Sequence, residues 1–271
     1  MRIPGPFQLG PFVRKDGASA PALDADAQAF ITATGITDQT IVSAINELVL
    51  SYKSAGIWTK RKAIYPVVGG SATYHKFNLK DPRDLDEAFR LTFMGGITHS
   101  NTGMLPNGLN GYARTYFVPS IDVTVDAGGL GYYSRTNAVS SSIDIGAYGS
   151  GGENDIYIRY SGGVSFFLWN SLGTATPIAN SDSRGWFAVN RTLANQQGWK
   201  NGIKVVDEAK TAGASNREVY LMAVNADGSA GYYSTKECSF AVLGHSSLTD
   251  AESLAEYNII QQFQINLGRQ V

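Results

Sequence analysis

Trp186-Phe187-Ala188-Val189-Asn190-Arg191-Thr192 is followed, after a short polar link, by Gly198-Trp199-Lys200-Asn201-Gly202-Ile203-Lys204-Val205-Val206. Asn-Gly is the strongest short-range hairpin signal, because both central residues of a type I′ turn need positive φ. Its flanks are short and rich in β-branched and aromatic residues, so they read as strands. More candidate strands lie on either side, at residues 130–136, 142–148, 155–160, 164–169, 219–224 and 238–243. Residues 155–160 alternate cleanly, placing Ile156, Ile158 and Tyr160 on one face. Further strands are expected at 89–93, 112–118 and 121–125, with a short one at 64–70 bent at Pro66. Gly95-Gly96, Asn107-Gly108, Asn110-Gly111 and Gly128-Gly129 supply turns. Strands spaced this way indicate an antiparallel sandwich.

Two helices frame the strands. Residues 27–56 form a helical region: Thr37-Asp38 caps it, Ile41, Ile45, Leu48, Val49 and Tyr52 fall at helical spacing, and Gly56 stops it. Its single apolar face is expected to pack on the chain's own sandwich. At the other end, Thr249-Asp250-Ala251-Glu252 is a capping box. Leu254, Tyr257, Ile260, Phe263 and Leu267 follow on one face, and Gly268 ends the helix.

Residues 1–30 differ in kind. Pro4, Pro6, Pro11 and Pro21 rule out a helix or a central strand there. The segment reads either as a disordered leader or as an extended assembly arm of Pro4, Pro6, Phe7, Pro11 and Phe12 lying on a neighbouring subunit, and the two phenylalanines favour the arm. Burying Phe7 and Phe12 would contribute roughly 1.5–3 kcal/mol each. Deleting residues 1–26 is expected to weaken assembly without unfolding the sandwich. The chain thus divides into the arm, 1–30, and a helix-plus-sandwich domain, 31–271.

Hydrophobic residues make up 43% of the 271 residues and charged residues 17%. The latter is below the roughly 25% of average soluble domains. With 30 Gly and 14 Tyr, this suits a turn-rich β protein partly covered by neighbours. A net charge of −1 gives no basic footprint for nucleic acid. The lone cysteine, Cys238, reads as a buried inert thiol. The N-terminus has no apolar signal-peptide core, and no apolar run is long enough for a membrane helix. The protein is therefore expected to be made in a cytoplasm and to insert in no membrane.

The last 90 or so residues resemble a LamG-like, concanavalin A-like jelly roll. The likeness rests on the strand ending Val189-Asn190-Arg191-Thr192, the Trp199-Lys200-Asn201-Gly202-Ile203 hairpin, and Leu243 to Glu252 leading into the final helix, which closes with Leu267-Gly268-Arg269. Several earlier segments are similar to bacteriophage virion proteins: residues 56–60, 63–70, 75–82, 98–103, 107–112 and 132–136. The resemblance implies an all-β jelly-roll sandwich with an N-terminal helix, a capped C-terminal helix and an extended arm. It implies a virion structural protein of tail, fibre or capsid-decoration type. Its partners would be other virion proteins and copies of itself. The alternative is a lectin-like module that recognises a host surface glycan.

No constellation reads as catalytic. Glycan-cleaving enzymes of this fold type carry Glu-x-Asp-x-x-Glu on one strand, and Glu153-Asn154-Asp155 begins that pattern but ends on Ile158. His75, His99 and His245 are scattered without zinc-site spacing. A nucleophile elbow and a phosphate loop are both missing. No cofactor is expected, and Ca²⁺ on Asp122, Asp126, Asp144 or Asp227 is the one metal left open. For glycan contact the candidates are the adjacent pairs Tyr132-Tyr133 and Tyr232-Tyr233, since strand alternation turns one of each pair outward.

Overall fold

The computed structural model describes residues 23–271. The hairpin forms as its sequence requires: Asn201 and Gly202 have φ of 48° and 76° and join Asn195–Lys200 to Ile203–Ala209. The Asn201 side-chain oxygen also accepts from the Trp186 amide at 2.7 Å. The Asn201 amide donates to the Trp186 carbonyl at 2.8 Å. The turn is thereby tied to the next strand, Gly185–Thr192.

Two sheets stack to form the sandwich. The first has eight strands. It runs Ile203–Ala209, Asn195–Lys200, Gly185–Thr192, Gly129–Ser134, Cys238–Gly244, Gly103–Pro106 and Ile97–Ser100, with Arg61–Tyr65 also paired to Cys238–Gly244. The second has nine. Its main path is Ile178–Ala179, Val164–Ser171, Gly152–Tyr160, Ile145–Gly149, Tyr220–Leu221, Tyr112–Arg114 and Thr92–Met94. All pairings are antiparallel except Val224–Ala226, which runs parallel to Ile145–Gly149. The late strand Cys238–Gly244 inserts between early ones, so the topology is non-local. This is the expected jelly-roll sandwich.

Helices Ala25–Thr34, Gln39–Ser54 and Asp250–Asn266 form a third layer on the outer face of the first sheet. Alternation along each strand of that sheet feeds two cores. Tyr133, Trp186, Trp199 and Phe240 meet Phe30, Ile45, Leu48, Tyr52, Ile260 and Phe263 beneath the helices. Tyr132, Phe187, Val189 and Leu243 meet Ile156, Ile158, Phe167 and Trp169 between the sheets. The first helical region therefore packs on its own sandwich, as expected. Gly35, at φ 70°, splits it in two, and the Asp38 side chain caps the second piece by accepting from the Thr40 and Ile41 amides. The capping box at Thr249 and Glu252 is complete.

The motif residues Asn190 and Arg191 are structural. The Asn190 amide group donates to the Leu248 carbonyl at 2.6 Å and accepts from its amide at 3.0 Å, docking the lead-in to the last helix. Arg191 is buried and donates to the carbonyls of Asn170 and Lys210. Cys238 is buried and free, and burial pushes its thiol up to about 12.

Four strand expectations change. Residues 121–125 do not form a strand: Pro119–Asp122 is a helical turn with Pro at its start. Tyr116 takes φ 61°, which shortens 112–118 to Tyr112–Arg114. Met222, at φ 66°, splits 219–224 into Tyr220–Leu221 and Val224–Ala226. Phe89, at φ 58°, leaves only Thr92–Met94 from the run at 89–93. Positive φ is costly for non-Gly residues and is imposed by the surrounding fold, so local sequence does not announce it.

The arm residues Pro4, Pro6, Phe7, Pro11 and Phe12 lie outside the described residues. The boundary at residue 30, however, falls inside helix Ala25–Thr34. Ala27 and Phe30 of that helix are core residues, and Leu23 packs against them. A deletion of 1–26 would cut into this core, so an arm deletion must stop before Leu23.

Candidate functional site

The outward tyrosines were the sequence's candidates, and the structure separates the two pairs. Tyr132 and Tyr133 are both fully buried. Alternation does turn them to opposite faces, but the first sheet is covered on both. Tyr132 points into the inter-sheet core and donates to the Lys236 carbonyl at 2.8 Å. Tyr133 points under the helices and donates to Gln261 at 3.0 Å. Neither can meet a glycan. Tyr232 is 56% exposed. Tyr233 is half-buried, with its ring 6.1 Å from that of Tyr112.

Tyr112 belongs to a groove of about 560 Å³ on the outer face of the second sheet, away from the three long helices. Strand alternation builds it. In Tyr112–Arg114 the middle residue, Ala113, is buried between the sheets, so Tyr112 and Arg114 face out. Tyr220 pairs with Arg114 and Leu221 with Ala113, so Leu221 enters the core and Tyr220 lies on the outer face, only 6% exposed beside the Tyr112 ring. The Tyr112 and Tyr220 rings lie 4.7 Å apart. The positive φ of Tyr116 brings its ring back under the Arg114 guanidinium, 4.7 Å from the ring centre. The Tyr116 hydroxyl is 2.9 Å from that of Thr92.

Glu218 holds the groove together. It accepts from Arg114 at 2.7 Å and from the Tyr116 amide at 2.9 Å. Burial works against the charge of Arg114, and the Glu218 hydrogen bond and charge outweigh it, so its pKa is raised. Burial pushes the Tyr220 hydroxyl up to about 12 and raises that of Tyr112. Asn216, Arg217 and Asn225 line the far wall. Arg217 is half-exposed, with Asp227 only at 3.8 Å. Aromatic faces beside amides, a carboxylate and guanidinium groups match what hydroxylated rings need for recognition: stacking plus fixed donors and acceptors.

The sequence missed this groove. Its one local signal was the period-two run Tyr112, Arg114, Tyr116; Glu218 stands 104 residues from Arg114. Another long-range pairing was also missed. His75 and His99 face each other, Nδ1 to Nδ1, at 3.0 Å. Burial first, then the charge of His99, pushes His75 down to about 3.

The calcium candidates do not converge. Asp122 accepts from the Val118 amide of its own turn, and Asp126 lies 3.9 Å from Arg191. Asp144 is fully buried against Lys236 at 3.3 Å, and Asp227 is beside Arg217. Among the described residues, no three His, Cys, Asp or Glu side chains gather at a common point.

Glu153 and Asp155 sit on strand Gly152–Tyr160 of the same sheet, separated from Tyr220–Leu221 by Ile145–Gly149, while Ile158 is in the inter-sheet core. Burial, then the charge of Glu153, raises the Asp155 carboxyl well above the usual range. One of its oxygens has no hydrogen-bond partner. The folded state thus keeps a proton that the unfolded state releases, and stability falls as pH rises above the ordinary aspartate value. Asp155→Asn should therefore gain stability over the parent, and the gain should grow with pH. Paired melting curves from pH 5 to pH 8 check it; a pH-independent difference would contradict the assignment.

No protein-family model and no curated protein matches the sequence. Solved structures share its fold. A mutant of Trypanosoma rangeli sialidase displaying trans-sialidase activity superposes with a TM-score of 0.52 at 11% identity, over 81% of this chain and 39% of that one. The botulinum neurotoxin serotype D binding domain gives 0.51 at 6% identity, over 75% of this chain and 52% of that one. This chain therefore spans about two fifths and one half of these two proteins. At such identities the likeness is one of fold. Among the described residues no helix is long and apolar enough to cross a membrane.

Proposed function

We propose that this protein is a lectin-like module that binds a glycan in the Tyr112–Arg114–Glu218–Tyr220 groove, without turning it over. The observation that carries the reading is the groove itself. Two tyrosine rings and a guanidinium-backed third line an open sheet face, with charged and amide groups fixed among them. The sandwich is also the fold of a toxin's binding domain, which is in keeping with a binding role; the ligand is argued from the groove.

A glycan array probed with the purified protein tests the reading, followed by titration of the best hit. Tyr220→Ala and Arg114→Ala should each weaken binding roughly tenfold or more, the scale of a lost stacking or charge-assisted contact. Circular dichroism should show the sandwich intact. Array binding that both variants retain would move the site elsewhere. Release of reducing ends from the hit would turn the module into an enzyme.

We further propose that the module is carried on a bacteriophage particle; the order of segments resembling virion proteins supports this. Labelling purified particles with antibody to this protein, read by electron microscopy, tests it. Label at the tail tip or fibres is the expected result, and the absence of label from every particle would remove it.

A further inference from the structure

The same open sheet carries a second cleft, of about 440 Å³, built from residues the groove does not use. Tyr157, Tyr160 and Phe166 form its floor. Their ring centres lie 5.4, 5.4 and 6.1 Å apart, each pair edge to face. Leu168 extends the apolar surface, and residues 173–175 line the rim. Tyr157 pairs with Phe166 and Asp155 with Leu168 across adjacent strands, and a register shift between Tyr157 and Tyr160 turns Tyr160 to the cleft rather than to the Ile156 and Ile158 face that strict alternation predicts. Ile156, Ile158 and Phe167 take the opposite face and fill the inter-sheet core.

Glu153 stands at the margin of this floor, half-buried. Burial alone raises its carboxyl above the usual range; no donor or cation among the described residues offsets it. Asp155, two residues along the strand, is fully buried, and its carboxyl is raised by burial and by the charge of Glu153, so Glu153 is the more accessible acceptor of the pair. The cleft thus offers an apolar aromatic floor and one acceptor without a donor, and no cationic side chain lines it.

We infer that this cleft is a second saccharide site, taking an uncharged sugar ring that lies on Tyr157 and Phe166 and donates a hydroxyl to Glu153. The inference rests on the glycan reading for its class of ligand but uses no residue of the groove. An acidic sugar would meet Glu153, while the ammonium beside the rim, that of Lys210, is already held by the Thr174 carbonyl and by Glu208. A quaternary ammonium group, the other guest of aromatic-and-acid sites, needs space between ring faces. Here the rings touch one another and leave none.

Calorimetric titration with maltohexaose, mannohexaose, xylohexaose, trigalacturonate and choline tests the inference on the full chain. At least one of the neutral hexasaccharides should bind, and Tyr157→Ala and Glu153→Gln should each weaken it about tenfold. Tyr220→Ala should leave that binding unchanged, which separates this cleft from the groove. Amide NMR shifts on the unmodified protein provide a readout independent of any variant's folding. They should move at residues 153–160 and 164–168. No neutral binding at up to about 10 mM ligand, neutral binding lost only in Tyr220→Ala, or stronger binding of trigalacturonate or choline at the cleft would each overturn the inference. Failure of Tyr220→Ala to affect the array hit would instead overturn the groove.

Discussion

Glu256→Ala should be among the most destabilising single substitutions in this protein, costing about 3–5 kcal/mol. Glu256 and Arg61 are both buried, at 1% and 5% exposure. They meet through two hydrogen bonds of 2.6 and 2.5 Å, and the Tyr52 hydroxyl adds a third to Glu256 at 3.1 Å. Three elements converge on this carboxylate: helix Gln39–Ser54, strand Arg61–Tyr65 and helix Asp250–Asn266. Removing it strands a guanidinium in the interior, where an unpaired charge is far costlier than a missing contact. Two comparisons separate charge from packing. Glu256→Gln keeps the shape and should recover only a small part of the loss. The double change Arg61→Met with Glu256→Leu should recover most of it, because it removes both charges at once. Urea denaturation of the four proteins gives the answer. A loss in Glu256→Ala below about 1 kcal/mol, the range of exposed ion pairs, would mean that the pair is solvated.

Trp186→Ala should cost about 3–5 kcal/mol, the range for emptying a buried aromatic site. Trp186 is 1% exposed on the helix-covered face of the first sheet, with its ring centre 6.3 Å from that of Phe240. Its indole lies against Gly131 of the adjacent strand: a Cβ at Gly131 would fall 2.1 Å from the indole Cη2. The two positions are therefore coupled. Gly131→Ala alone should destabilise through overpacking by about 1–3 kcal/mol. In the Trp186→Ala background the same change should be close to neutral, because the clash has gone. Additive losses across this cycle would show that the glycine is required for some other reason.

The fold was legible because its signals were local and repeated. Asn201-Gly202 dictated a type I′ turn, and the turn formed. Thr249 and Glu252 dictated a capping box, and it formed. The apolar face of residues 41–52 called for a partner, and the first sheet supplies it. Each signal lies within a few residues of what it specifies. Reading failed where the backbone was set from outside. The positive φ at Phe89, Tyr116 and Met222 cut three expected strands short, and no residue type at those positions requires it.

The candidate site was much less legible. Tyr132-Tyr133 looked like a half-exposed pair because alternation assumes one wet face. The helical layer removes that face, and both rings are buried. Tyr232-Tyr233 lay nearer the mark, with Tyr233 abutting Tyr112. The groove itself joins residues 112–116 to 216–225, and its central pair, Arg114 and Glu218, meets only because the topology places Tyr112–Arg114 beside Tyr220–Leu221.

By itself, then, the sequence determined the class of fold, the main hairpin and the caps of its helices, since turn geometry and capping depend on neighbours along the chain. Only the tertiary structure decided which sheet the helices cover and which stays open. That choice follows from where apolar surface is buried once distant strands have paired. It buried Tyr132 and Tyr133 and left Tyr112, Arg114, Glu218 and Tyr220, itself only 6% exposed, on the outer face.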